Sequence, residues 1–129
     1  MTKIACLAGA AAVALLAGTA HAQSAEDATK AALAAIQDKN PTLHAVIATN
    51  PNALAEAKAL DAERKAGKVL SALHGVPILL KDNIESADPL PTTAGSLALK
   101  DNVTGRDAPI ARRLREAGLV MLGKANLSE

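Results

Sequence analysis

The chain has 129 residues, half of them hydrophobic, with 14 basic and 13 acidic side chains, one cysteine and no Phe, Tyr or Trp. That length allows one domain at most. The balanced charge excludes a polybasic surface for nucleic acid or acidic lipid, and the lone cysteine excludes a disulfide framework or a cysteine-built metal site.

The first 22 residues read as a signal peptide. Lys3 supplies a positive n-region, Ile4 to Thr19 is an apolar run, and Ala20-His21-Ala22 offers the small-x-small pattern before the polar Gln23-Ser24-Ala25-Glu26-Asp27. The run is short and alanine-rich for a membrane span, so cleavage after Ala22 is expected over anchoring. Cleavage removes Lys3, Cys6 and His21. The mature chain then has no thiol, about zero net charge, and no stable membrane association. It is expected in the periplasm or outside the cell.

Ser24 can cap a helix from about Ala25 to Gln37, with Thr29, Leu33 and Ile36 on one face and Asn40-Pro41 as its end. Leu43 to Ala48 suits a short strand. Asn50-Pro51 offers an N-cap and a first-turn proline for a second helix, whose stripe is Ala53, Ala57 and Leu60 and whose stop is Gly67. Gly75 to Leu80 is apolar on both faces, as in a buried strand, with Pro77 at its start or at an edge. The stretch from Asp82 to Asp107 reads as loop. A third helix begins near Pro109, with Ile110, Leu114 and Ala117 inward, Arg112, Arg113 and Arg115 on a solvated face, and Gly118 as stop. Leu119 to Leu122 is another buried strand. This order predicts an α/β fold, a sheet with helices on its faces. A core of Ala, Val, Leu and Ile alone, in so short a chain, is marginal.

Lys81 is the most informative residue for chemistry. It stands at the C-terminal end of a strand, the edge where open α/β sheets bind ligands. From position alone two roles stand open: a partly desolvated amine with a lowered pKa that serves as a base, or a lysine emerging into solvent. Ser96, after Ala94-Gly95, reads as a cap of a turn or helix before it reads as a nucleophile. His44 and His74 lie thirty residues apart without a companion ligand pattern. Gly123-Lys124 lacks the upstream glycine of a phosphate loop.

The segment Leu73-His74-Gly75-Val76-Pro77-Ile78-Leu79-Leu80-Lys81-Asp82-Asn83-Ile84 resembles the lysine-bearing motif of the amidase signature family. Thr92-Thr93-Ala94-Gly95-Ser96-Leu97-Ala98-Leu99 resembles that family's next block. Ala108 to Glu129, ending Gly-Lys-Ala-Asn-Leu-Ser-Glu, is similar to a third. The blocks stand in the family's order and spacing and cover about Leu43 to Glu129. The resemblance implies a mixed β-sheet flanked by helices on both faces and a serine hydrolase of the Ser–cis-Ser–Lys type. It implies cleavage of carboxylic amides without metal or organic cofactor. By position Lys81 is the catalytic lysine, and no other residue maps to the triad. Both serines of the family fall in a Gly/Ser-rich stretch that this sequence lacks, so residues 23–129 read as the N-terminal part of an amidase domain, inactive alone. The wording Glu85-Ser86-Ala87-Asp88-Pro89-Leu90-Pro91-Thr92-Thr93 resembles the exported, peptide-amidase-like branch, which implies small or peptide amides as substrate. The alternative is a non-catalytic exported α/β remnant or binding fragment.

Overall fold

The computed structural model describes residues 23–127. The expected signal peptide, residues 1–22, lies outside the described residues. Seven elements follow one another: α1 (Ala25–Leu43), β1 (Val46–Thr49), α2 (Ala53–Lys65), β2 (Pro77–Lys81), a 3₁₀ turn (Leu97–Leu99), α3 (Pro109–Glu116) and β3 (Val120–Ala125). Apart from the short turn, this is the order expected from the sequence.

Helix α1 starts as its first residues dictate. The Ser24 hydroxyl accepts the Asp27 N–H at 3.0 Å, and Glu26 and Asp27 stand in the first turn against the positive end of the helix dipole. A second cap comes from α2, where the Asp61 carboxylate accepts the Ala25 and Glu26 N–H groups, both at 2.9 Å. The far end differs from expectation. The helix continues through Pro41 to Leu43 instead of stopping at Asn40. A proline in the last turn forfeits its own N–H bond, and the exit is secured in other ways. His44, at φ 50°, donates its N–H to Asn40 O at 2.8 Å. The Asn40 carboxamide pairs with both the N–H and the C=O of Val46, each at 2.8 Å, acting as a substitute strand partner. Strand β1 therefore begins at Val46, three residues after the predicted start.

Helix α2 begins at Ala53, and its N-cap residue Asn52 makes no side-chain capping bond. The expected cap, Asn50, is buried and serves as a tether. Its Oδ1 accepts the Asn52 N–H at 3.0 Å, and its Nδ2 donates to Met121 O at 2.9 Å and to Glu56 and Asp88 at 3.1 and 3.2 Å. Gly67, at φ 81°, follows the helix end as predicted.

The three strands form one mixed sheet in the order β1-β3-β2, with β1 antiparallel and β2 parallel to the central β3. Every residue of β3 is buried except half-buried Ala125. At Gly123 a Cβ would be driven into the backbone of Ala48 and Thr49, so only glycine lets β1 approach this closely. Strand β2 was expected to be buried on both faces, but only Leu80 is. It lies at the edge of the described sheet, and Leu79 stays uncovered.

Helices cover both faces. Ala25, Ala53, Ala57, Val120 and Leu122 form one cluster under α1 and α2, joined by Leu33, Ile36 and Leu60. Leu80, Ala111, Leu119 and Met121 form the other under α3, joined by Ile78, Leu114 and Ala117. Here Ile110, expected inward, is exposed, and Ala111 is buried in its place. Leu114 and Ala117 keep their expected inward places.

Candidate active site

Lys81 ends β2, and its backbone is pinned on both sides. Its C=O accepts the Ile84 N–H at 2.9 Å, and the next N–H, that of Asp82, donates to Ala125 O on β3 at 3.0 Å. The side chain is exposed. Partial desolvation was one of the two roles open for Lys81, and the described structure does not supply it, because the face of β2 that carries Leu79 and Lys81 is the uncovered one.

The buried lysine is Lys124, which is 1% exposed. It pairs in register with Leu80, while Lys81 pairs with Ala125. Burial pushes its ammonium below the ordinary lysine range, opposed by the charges of Asp82, Asp88 and Glu85. Its Nζ donates to Ile84 O and, at 3.0 Å, to Thr92 Oγ1. Asp82 is fully buried. Its Oδ2 accepts the Thr93 hydroxyl and, at 3.2 Å, the Thr93 N–H. Asp82 Oδ1 and the Ser86 hydroxyl are buried without a hydrogen-bond partner among the described residues. Ala94 and Gly95 then take left-handed φ of 48° and 75° and turn the chain back past the strand end. A groove of about 300 Å³ opens there, lined in part by Thr93, Gly95, Ser96 and Asn126.

The other candidates take structural places. Ser96 precedes the 3₁₀ turn and caps it through its backbone, with its C=O accepting the Leu99 N–H at 3.0 Å and no capping bond from its hydroxyl. His74 is buried. Its Nδ1 accepts the Leu70 N–H at 3.3 Å, and Nε2 lies 2.9 Å from Leu60 O, so the tautomer protonated at Nε2 satisfies both. Gly118 packs on that ring; a Cβ there would lie 2.7 Å from Nδ1. His44 is the left-handed cap of α1.

A second expectation, after that for Ile110, is overturned on α3. Arg112 and Arg113 are exposed as predicted, but Arg115 is the hub of an ion cluster. Its guanidinium donates to both Asp88 oxygens at 3.1 Å and to Asp107 at 3.0 and 3.2 Å, with Glu56 3.7 Å away. These partners hold its proton even more tightly than usual. Asp107 is held below the usual carboxylate range by the Arg115 hydrogen bond, and Glu56 is pushed up by burial. The acidic partners come from α2 and the long loop, so periodicity within α3 carries no sign of them.

Lys81 thus stands at a pinned strand end, and the residue after it, Asp82, belongs to the buried polar cluster. An amidase family model matches residues 27–129. The chain belongs to the amidase family. A probable amidase of Arabidopsis thaliana is 58% identical over 99 residues, which are 75% of this chain and 19% of that protein. A putative amidase of Arthroderma benhamiae is 47% identical over 97 residues, covering 75% and 16%. Among solved structures, the peptide amidase of Stenotrophomonas maltophilia superposes with a TM-score of 0.78 at 50% identity, over 82% of this chain and 22% of that one. The chain thus spans about a fifth of the length of the amidases it matches. The mixed sheet with its helices is the N-terminal part of the amidase signature fold.

Proposed function

We propose that this chain supplies the lysine-bearing segment of a Ser–cis-Ser–Lys amidase that hydrolyses carboxylic amides, peptide amides among them, to an acid and ammonia or an amine. The observation that carries the reading is Lys81, exposed at the C-terminal end of β2 with its backbone held by bonds to Ile84 and through Asp82 to β3. In this scheme the neutral Lys81 amine takes a proton through a middle serine. A second serine attacks the amide carbonyl, the amine leaves with a proton, and water releases the acid from the acyl-enzyme. Backbone N–H groups stabilise the oxyanion. No metal or organic cofactor enters. Neither serine has a motif counterpart in these 129 residues, so the chain alone is proposed to be inactive.

The test grafts residues 23–129 in place of the matching segment of the Stenotrophomonas maltophilia peptide amidase. In that chimera Lys81→Ala is expected to lower kcat at least about a hundredfold, the scale of a lost general base. Lys81→Arg should not rescue, because a guanidinium stays protonated. Near-normal kcat in the alanine variant would refute the assignment.

Export is proposed on the first 22 residues. Expressed in a bacterium, the mature chain should begin at Gln23; periplasmic material that keeps Met1 by intact mass would contradict this.

A further inference from the structure

Thr92 and Thr93 are neighbours, and buried groups of opposite charge hold them. Lys124, on β3, donates to the Thr92 hydroxyl; Asp82, the residue after Lys81, accepts the Thr93 hydroxyl and N–H. All four residues are at least nine-tenths buried. Lys124 also donates to Ile84 O, so the loop from Ile84 to Thr93 is tied down at both ends. Asn102 secures the same point from outside: its C=O accepts the Thr92 N–H at 2.9 Å, and its Nδ2 donates to Thr92 O at 3.0 Å. The Lys124 tie falls on Ile84, the same residue whose N–H bonds Lys81 O, and Asp82 itself bonds Ala125. The bonds that pin the Lys81 backbone are therefore anchored in this cluster or in β3.

We propose that Lys124, Thr92, Thr93 and Asp82 form a positioning clamp for Lys81, acting through the backbone that carries the base and not by touching substrate. The proposal rests on the role of Lys81 put forward above. Catalytic groups misplaced by about 1 Å can cost on the order of a hundredfold in rate. A clamp that sets the origin of a long, flexible lysine stem has that leverage. It should act on kcat and leave substrate binding nearly unchanged.

The experiment uses the same chimera with peptide amides as substrate. Thr92→Val keeps the shape of the side chain and removes the acceptor for Lys124; Thr92→Ser keeps the hydroxyl. Thr92→Val is expected to lose about tenfold or more in kcat with KM within about twofold, and Lys124→Met about a hundredfold. Thr92→Ser should stay within about twofold of the parent in both constants, since its hydroxyl still accepts the bond. Circular dichroism at the assay temperature reports the folded fraction. Activity that falls only in step with that fraction, a serine variant no better than valine, or loss of the fold in both Thr92→Val and Lys124→Met would overturn the clamp. A dead Lys81→Ala beside a fully active Thr92→Val would overturn the clamp alone. An inactive parent chimera or an active Lys81→Ala would overturn the functional reading and the clamp with it.

Discussion

The two faces of β3 are stabilised by different means. Toward α1 and α2 the contact surface is small and apolar: Ala25, Ala53 and Ala57 let the helix backbones approach Val120 and Leu122. Toward α3 and the long loop, apolar contact is supplemented by buried charge, with Arg115 among Asp88, Asp107 and Glu56, and Lys124 near Asp82. The contrast follows from composition. Without aromatic side chains the chain fills one face by close approach. On the other it must order the long loop between β2 and α3, and hydrogen-bonded ions do what a packed aromatic core does elsewhere. The charged face is also the specific one, since a buried ion tolerates few partners.

The contrast breaks first at Arg115. Arg115→Met removes the cation and leaves the buried Asp88 carboxylate with only the Asn50 amide as a side-chain partner. The expected cost is about 3 kcal/mol, the lower end for a broken buried pair because Arg115 itself is one-third exposed. Urea unfolding of the whole chain measures it, and a loss near zero would show that the cluster adds nothing to stability. On the other face the sensitive change is an addition. Ala57→Leu forces extra carbons between α1, α2 and Val120 and should cost about 1–3 kcal/mol by overpacking, read as a lower urea midpoint. A neutral result would mean that this face is loosely filled.

The smallest effect sharpens the comparison through pH. Asp107 has its folded pKa depressed, so its contribution is present above the ordinary aspartate value, about 3.9, and is lost as pH falls through the lower folded value. Glu56, raised by burial, runs the other way: it binds its proton more readily folded than unfolded, so acidification through the usual glutamate range favours the folded state. The parent chain should therefore hold its urea midpoint down to about pH 4 and lose it below. Arg115→Met should flatten the fall that comes from Asp107. Equal acid sensitivity in both chains would separate the Asp107 shift from Arg115.

Much of this was legible because local signals were strong. Ser24, Gly67 and Gly118 bound their helices as their chemistry demands, and the apolar run Leu119–Leu122 is the buried centre of the sheet. The motif around Lys81 pointed to the family before any fold was known. What was misread involves partners distant in sequence. Asn50 stands two residues ahead of the α2 N-cap as a tether, its Nδ2 held by Met121 and Asp88 and its Oδ1 by the Asn52 N–H. Arg115 is drawn partly out of solvent because Asp88, Asp107 and Glu56 converge on it.

Lys124 shows where sequence and tertiary structure part. Sequence alone determined that a lysine follows an apolar strand and that a glycine precedes it. Simple alternation puts position 124 on the side of Val120 and Leu122, toward α1 and α2. The register of β3 against β2 skips one residue between the pairs Ile78–Met121 and Leu79–Gly123, and that irregularity sets Lys124 opposite Leu80, on the α3 and loop side. A period-2 pattern read along one strand cannot contain a bulge, because a bulge exists only in the pairing of two strands. The tertiary structure therefore decided which lysine is buried and which is exposed.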